Sequence, residues 1–273
     1  VIKYYLPKSP EKYNTVKITI KNKDGEIIDE FSNQQDIGPQ YDNTYRVLCL
    51  RPKQGFNEFE WNLRYPGPIH VADDLIPENG ELRRFAGQSS MSLEGPYVEP
   101  GDYTAELNTG DNTISVNFKI IPGVYAKNEK SELNKQTKFL LMVRDKLSEV
   151  NHTINSIRNL KSKLRKDNKI DSDEKNFLLK ELDDIDRVLA STAEIEEEQN
   201  TVDQNSQGKR FGRVTDGAFF ADSYNARLNG LIDTAGNHES QNTQQTADVY
   251  KNLQESIDLL IDNFNKLRKN YLN

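Results

Sequence analysis

The sequence predicts a β-sandwich followed by an antiparallel helical bundle. Two observations carry this. Apolar residues alternate with period two, between regularly spaced turns, through roughly the first 120 residues. Beyond Pro122-Gly123 they recur every three or four residues instead.

The strands follow in order. Residues 1–6 read as a strand, and Val16-Lys17-Ile18-Thr19-Ile20 alternates cleanly. Asp24-Gly25 is a hairpin turn signal, with the next strand over 26–31. Strands over 46–50 and 57–63 follow, the second placing Phe59, Trp61 and Leu63 on one face. Pro100-Gly101 turns the chain into 102–107, with Tyr103, Ala105 and Leu107 alternating. Asn108-Thr109-Gly110-Asp111 leads into 113–121, with Ile114, Val116, Phe118 and Ile120 alternating. About seven short strands with such turns imply a sandwich of immunoglobulin-like or fibronectin-like type over residues 1–122.

Residues 65–97 interrupt this pattern with a stretch rich in Pro, Gly and Ser. Loops beyond about 12–15 residues are commonly functional. Arg64, Tyr65, His70, Phe85 and Tyr97 are therefore the candidate ligand or partner contacts. Arg64 is expected to order the excursion by pairing with a loop carboxylate, since a guanidinium holds such partners in a fixed fork. Trp61, the single tryptophan, is expected in the sandwich core rather than on a sugar-stacking surface.

The helical part, 123–273, predicts an up-down four-helix bundle with long helices. Leu133, Leu140, Leu147 and Ile154 stand seven apart, as do Val143, Val150, Ile157 and Leu164. Together they make one apolar seam on a helix over 130–165, about 54 Å long. Asp171-Ser172-Asp173-Glu174 opens a second helix, striped by Leu178, Leu182, Ile185 and Leu189. The acidic run 194–198 ends it, and 200–215 is a polar loop. A third helix is expected over 216–234, with Phe220, Tyr224, Leu228, Leu231 and Ile232, stopped by Gly236-Asn237. A fourth covers 244–271, with Tyr250, Ile257, Phe264 and Tyr271 at one heptad position and Leu253, Leu260 and Leu267 at the other.

Composition narrows the function. At 273 residues the chain has room for about two domains. Apolar residues are only 35%, which suits helices that each bury a single stripe. A net charge of −7 disfavours a nucleic-acid partner, which needs a basic face. The basic run 161–166 reads as the solvated end of a helix. No stretch reaches the ~18 apolar residues of a membrane span. One cysteine, Cys49, forbids an internal disulfide and reads as a buried small hydrophobe; no histidine lies near it in sequence to activate a thiol. The chain opens at Val1 already in a strand pattern and without a signal peptide, so an upstream segment is expected.

Motifs of catalysis are missing. His70, His152 and His238 are scattered, with no HExxH, CxxC or His-x-His spacing for zinc. Residues 167–174 carry alternating oxygen ligands like half a calcium loop, but Lys169 and Ile170 interrupt them and no Gly turns the chain, so helix capping is expected. Gly87-Gln88-Ser89-Ser90-Met91 lacks the last glycine of a nucleophile elbow. No cofactor, metal or catalytic residue is expected.

Two strings carry a resemblance. They are Gly55-Phe56-Asn57-Glu58-Phe59-Glu60-Trp61-Asn62-Leu63-Arg64-Tyr65-Pro66 and Gly95-Pro96-Tyr97-Val98-Glu99-Pro100-Gly101-Asp102-Tyr103-Thr104. Followed by a long-helix tail, they resemble the C-terminal region of bacterial sortilin-type, BNR-repeat β-propeller proteins of the glycosyl hydrolase kind. Asn62 stands where that family usually has Asp, and Ile121-Pro122-Gly123 where Asp-Pro-Arg is common. The resemblance covers nearly the whole chain. It implies a non-catalytic accessory module that packs on, spaces or docks its own upstream β-propeller, in an extracytoplasmic setting. Asp233-Thr234-Ala235 resembles the short O-glycosylation site of exported Bacteroidetes proteins. Two alternatives stand beside this reading. One is a component of a cell-surface or secretion assembly acting through the helices with another envelope protein. The other is a carbohydrate-binding module that takes a polysaccharide.

Overall fold

Period-two and period-3.6 segments give two kinds of layer in the computed structural model of the chain. It describes residues 1–13, 15–34, 50–69, 71, 95–122, 130–190, 223–236 and 243–271. Two small antiparallel sheets and four helices make up the described part. The strands are β1 (Ile2–Leu6), β2 (Lys17–Asn22), β3 (Ile27–Ser32), β4 (Gly55–Phe59), β5 (Gly101–Asn108) and β6 (Thr113–Ile120). β1 pairs with β4, and the other four run in the order β3-β2-β5-β6.

Turn chemistry sets the hairpins. Between β2 and β3, Gly25 takes φ 82, and the Asn22 Oδ1 accepts from the backbone N–H of Asp24 (3.0 Å) and Glu26 (2.9 Å). Between β5 and β6, Gly110 takes φ 86 and donates its N–H to Asn108 Oδ1 at 2.8 Å. Both turns need a left-handed residue, which glycine supplies without steric cost.

Directly opposed residues of antiparallel strands share a face. One row holds Phe31, Ile18 and Leu107, and the next holds Asp29, Ile20 and Ala105. The two sheets meet across this face, where Phe31 touches Phe59 with ring centroids 4.7 Å apart. Trp61 joins the same core, edge-on to Tyr103 and Phe118 at 6.2 Å each, as the sequence anticipates.

Two expectations on the strands are corrected. The fourth strand ends at Phe59, not at 63. Leu63 takes φ 60, which turns the chain, and its side chain leaves the core (41% exposed). Ile114 and Val116 lie on the core-facing side of β6 yet are 68% and 57% exposed. The covering layer is only two strands wide, and its aromatic contact with β6 falls at Phe118. Of the strand expected over 46–50, Leu50 is buried, while Cys49 and the rest lie outside the described residues.

Asp29 occupies a core-facing position beside a register shift, where Ile20 pairs with Asp29 but Lys21 with Ile27. Burial pushes its pKa up to about 6, against the backbone N–H of Glu30 that donates to it at 2.8 Å. The folded value lies above the unfolded one of about 3.9. Folding therefore favours the protonated acid, and this contribution is lost as pH rises from about 4 through about 6. Asp29→Asn should raise stability by about 1–2 kcal/mol at pH 7 and leave it nearly unchanged at pH 4. Urea unfolding at the two pH values checks this.

The helices are α1 (Lys130–Lys166), α2 (Ser172–Leu189), α3 (Tyr224–Gly236) and α4 (Gln244–Tyr271). The seam on α1 is buried from Leu140 to Leu164, and with Leu182, Leu189, Leu228 and Ile257 it forms one helical core. Asp171 caps α2, its carboxylate accepting from the Asp173 N–H at 3.0 Å, so this segment works as a helix start. The third helix begins later than expected, at Tyr224; residues 216–222, Phe220 among them, lie outside the described residues, as does the segment 191–215. His152 is on the surface of α1. Lys161 corrects the solvated reading of its run: it is buried and paired with Asp183 and Asp186 of α2.

Candidate functional site

The site begins where β4 ends. Asn62 Oδ1 accepts from the Arg64 N–H at 3.3 Å, which favours the tight turn through Leu63. The Trp61 indole N–H donates to the Arg64 carbonyl at 3.3 Å, fastening the turn to the core. The chain then lies alongside residues 95–98. Tyr65 donates to the Pro96 carbonyl and Val98 to the Leu63 carbonyl, both at 2.9 Å. Arg64 and Tyr97 form an antiparallel bridge there.

Side chains lock this neck. Arg64 is buried (8% exposed), donates to the Gly95 carbonyl at 2.9 Å, and lays its guanidinium 3.6 Å from the Tyr97 ring centre. Such a cation–π contact is worth ~0.5–2 kcal/mol. Arg64 thus joins the two ends of the excursion through a backbone carbonyl and a ring, while the carboxylates expected to pair with it, at 72–94, lie outside the described residues. Tyr65 donates to Glu99 Oε2 at 3.0 Å, and Tyr103 to the Glu99 carbonyl at 2.7 Å. Burial first, and the Glu99 charge second, push the Tyr103 hydroxyl up to about 12 and the Tyr65 hydroxyl further in the same direction. Both stay protonated at neutral pH and act as donors. At Gly95 an added Cβ would lie 2.0 Å from the Tyr65 carbonyl oxygen and 2.4 Å from that of Pro66. Only glycine lets the two chains lie this close.

From the neck, residues 66–69 cross to the helices as a strap. Arg144 donates to the Pro66 carbonyl at 2.7 Å. The Ile69 N–H donates to Ser148 Oγ at 3.1 Å, and Asn151 Nδ2 donates to the Ile69 carbonyl at 2.6 Å. Thr137 Oγ1 donates to the Tyr97 carbonyl at 3.3 Å. Residues 137, 144, 148 and 151 follow helical spacing, so all four lie on one face of α1. Val71, just past the strap, is 2% exposed and belongs to the helical core.

Behind the strap runs an asparagine ladder. Asn225 Nδ2 donates to Asn151 Oδ1, and Asn229 Nδ2 to Asn225 Oδ1 at 2.9 Å. All three are buried, so the strap is tied through α1 to α3. Asparagine is a poor helix former, and a buried amide left unpaired costs ~1–3 kcal/mol. Three of them in register form a specific joint rather than general packing.

Of the sequence-predicted contacts, Arg64, Tyr65 and Tyr97 come together at the neck, while His70 and Phe85 lie outside the described residues. The helix-side residues Thr137, Arg144, Ser148 and Asn151 were not anticipated. Their signal is a polar stripe at helical spacing beside the apolar seam, with Asn151 in mid-helix. Among the described residues, no group of three His, Cys, Asp or Glu could hold a metal ion. The polar groups of the neck and strap engage backbone carbonyls and N–H groups, an arrangement that joins chain segments. Thr234 of the glycosylation-like tripeptide is exposed on α3 and donates to the Gly230 carbonyl at 2.8 Å.

The fold and site define a mixed β and α chain whose sheets and helices are tied by a strap. Comparison of this chain with family models, with curated proteins and with solved structures found no match.

Proposed function

We propose that this chain is a non-catalytic structural module, an immunoglobulin-like sandwich held at a set angle to a four-helix bundle. The observation that carries this reading is the strap. Four polar side chains on one face of α1, one buried valine and a buried asparagine ladder are spent on joining the two parts. Such a joint suits a spacer that must transmit orientation. The motif resemblance supplies the setting: an exported bacterial protein whose upstream β-propeller is the partner this module packs on or displays. A polysaccharide-binding role draws less support, since the Tyr97 ring already carries Arg64 on one face.

The test is a distance measurement between nitroxide labels on Lys119 of β6 and Arg165 of α1, in a Cys49→Ser background. A single narrow distribution is expected. Asn151→Ala removes the tether to Ile69 and strips Asn225 of its acceptor, so the distribution should broaden and stability fall by about 2 kcal/mol. A broad distribution in the unmutated strap would overturn the reading. So would hydrolysis of a glycosidic substrate by this chain that disappears when one of its own acids is changed.

A further inference from the structure

We propose that the groove between α2 and α4 is the docking face for a second copy of this chain, joined about a two-fold axis that runs along the groove. This inference is independent of the strap.

A face of each helix lines the groove. On α2 the buried row of Leu178, Leu182, Ile185 and Leu189 faces the helical core. The row beside it, at helical spacing, has Phe177 (49% exposed) and Val188 (41% exposed) at its ends and Glu181 and Asp184 between them. On α4 the heptad row of Leu253 continues through Leu260 and Leu267, which are only partly covered and form the facing wall. A cleft of about 520 Å³ lies between. An apolar heptad row left half-covered is the usual seat of another helix.

Charge selects the occupant. The α2 wall carries Glu181 and Asp184, and the α4 wall carries Lys266. Among the described residues neither Glu181 nor Lys266 has an ion-pair partner, and Asp184 has only Arg187, at 3.9 Å. A two-fold axis along the groove sets the acidic wall of each copy over the basic wall of the other. The same two pairings then form twice, which is the condition for an isologous dimer. Phe177 and Val188 of each copy would enter the other's cleft.

The experiment is sedimentation equilibrium of the full chain over a range of concentrations, repeated for charge-reversal variants. The expected result is a monomer–dimer equilibrium. Lys266→Glu alone sets like charges against each other and should weaken it by about 10-fold or more. Combining it with Glu181→Lys and Asp184→Lys restores opposite charges and should recover the dimer to within a few-fold. The changed residues line the groove rim and leave the buried rows intact, and circular dichroism melts check that each variant folds. A chain that stays monomeric at all concentrations overturns the proposal. A dimer whose affinity ignores Lys266→Glu also overturns it, because the contact then lies elsewhere.

Discussion

Replacing Gly95 by alanine should unfold the neck and cost at least about 3 kcal/mol, in the range reserved for changes that force backbone apart. The atoms in the way are backbone carbonyls of Tyr65 and Pro66, at 2.0 and 2.4 Å from the new carbon. Neither can rotate aside as a side chain tip would. The segment at 95–97 must retreat, and it carries the acceptor of Arg64, the ring beneath it and the acceptor of Tyr65. Gly101→Ala is the control. Its added carbon meets nothing closer than 3.8 Å, so it should change stability by no more than ~1 kcal/mol. Urea unfolding of both variants makes the comparison. Equal effects would show that the close approach at Gly95 does not matter.

The second large effect lies between α1 and α2. Lys161 reaches both Asp183 and Asp186, with Asp186 at 3.2 Å and the Arg158 Nε 3.7 Å from the same carboxylate. Burial works against the charged lysine, but the hydrogen bonds and charges of the two aspartates outweigh it and hold its pKa above the ordinary value. The sign follows: this stabilisation is complete below the unfolded pKa of about 10.4 and fades as pH rises through the folded value. Lys161→Met should cost ~3–5 kcal/mol, because Asp186 is left buried with its main cation gone. Adding Asp186→Leu should recover most of that loss, since a buried ion pair replaced as a whole by apolar groups is often nearly neutral. A double-mutant cycle in urea gives the coupling. Additive effects would mean that the two residues do not depend on each other.

These two sites show what the sequence could and could not display. Local patterns were legible. The heptads on α1 and α4, the Asp171 cap and the glycine turns at 25 and 110 all report on residues a few places apart, and all appear in place. The neck was half legible: Arg64, Tyr65 and Tyr97 stood out as polar and aromatic residues flanking a long excursion. The far half was hidden because its contacts span about eighty residues. Arg144 meets Pro66 and Asn151 meets Ile69, and no short-range period encodes such a pairing. Lys161 misled for the same reason. In a run of charges it looks solvated, and only the packing of α2 brings Asp183 and Asp186 to it. The exposure of Ile114 and Val116 was also invisible, since alternation reports which face a residue occupies and not how wide the covering layer is.

The spacing of the strap's attachments has a mechanical consequence. Thr137 and Asn151 hold the sheet side at points 14 residues apart, about 21 Å along α1. One anchor would make a pivot; two at that separation resist torque. The 15 residues of α1 beyond Asn151 run about 22 Å past the last anchor, held against α2 by Lys161. A pull at the far end is resisted as opposed forces on the two attachments. Two attachments on one helix face therefore restrain swivelling of the neck on α1, where one alone would permit it.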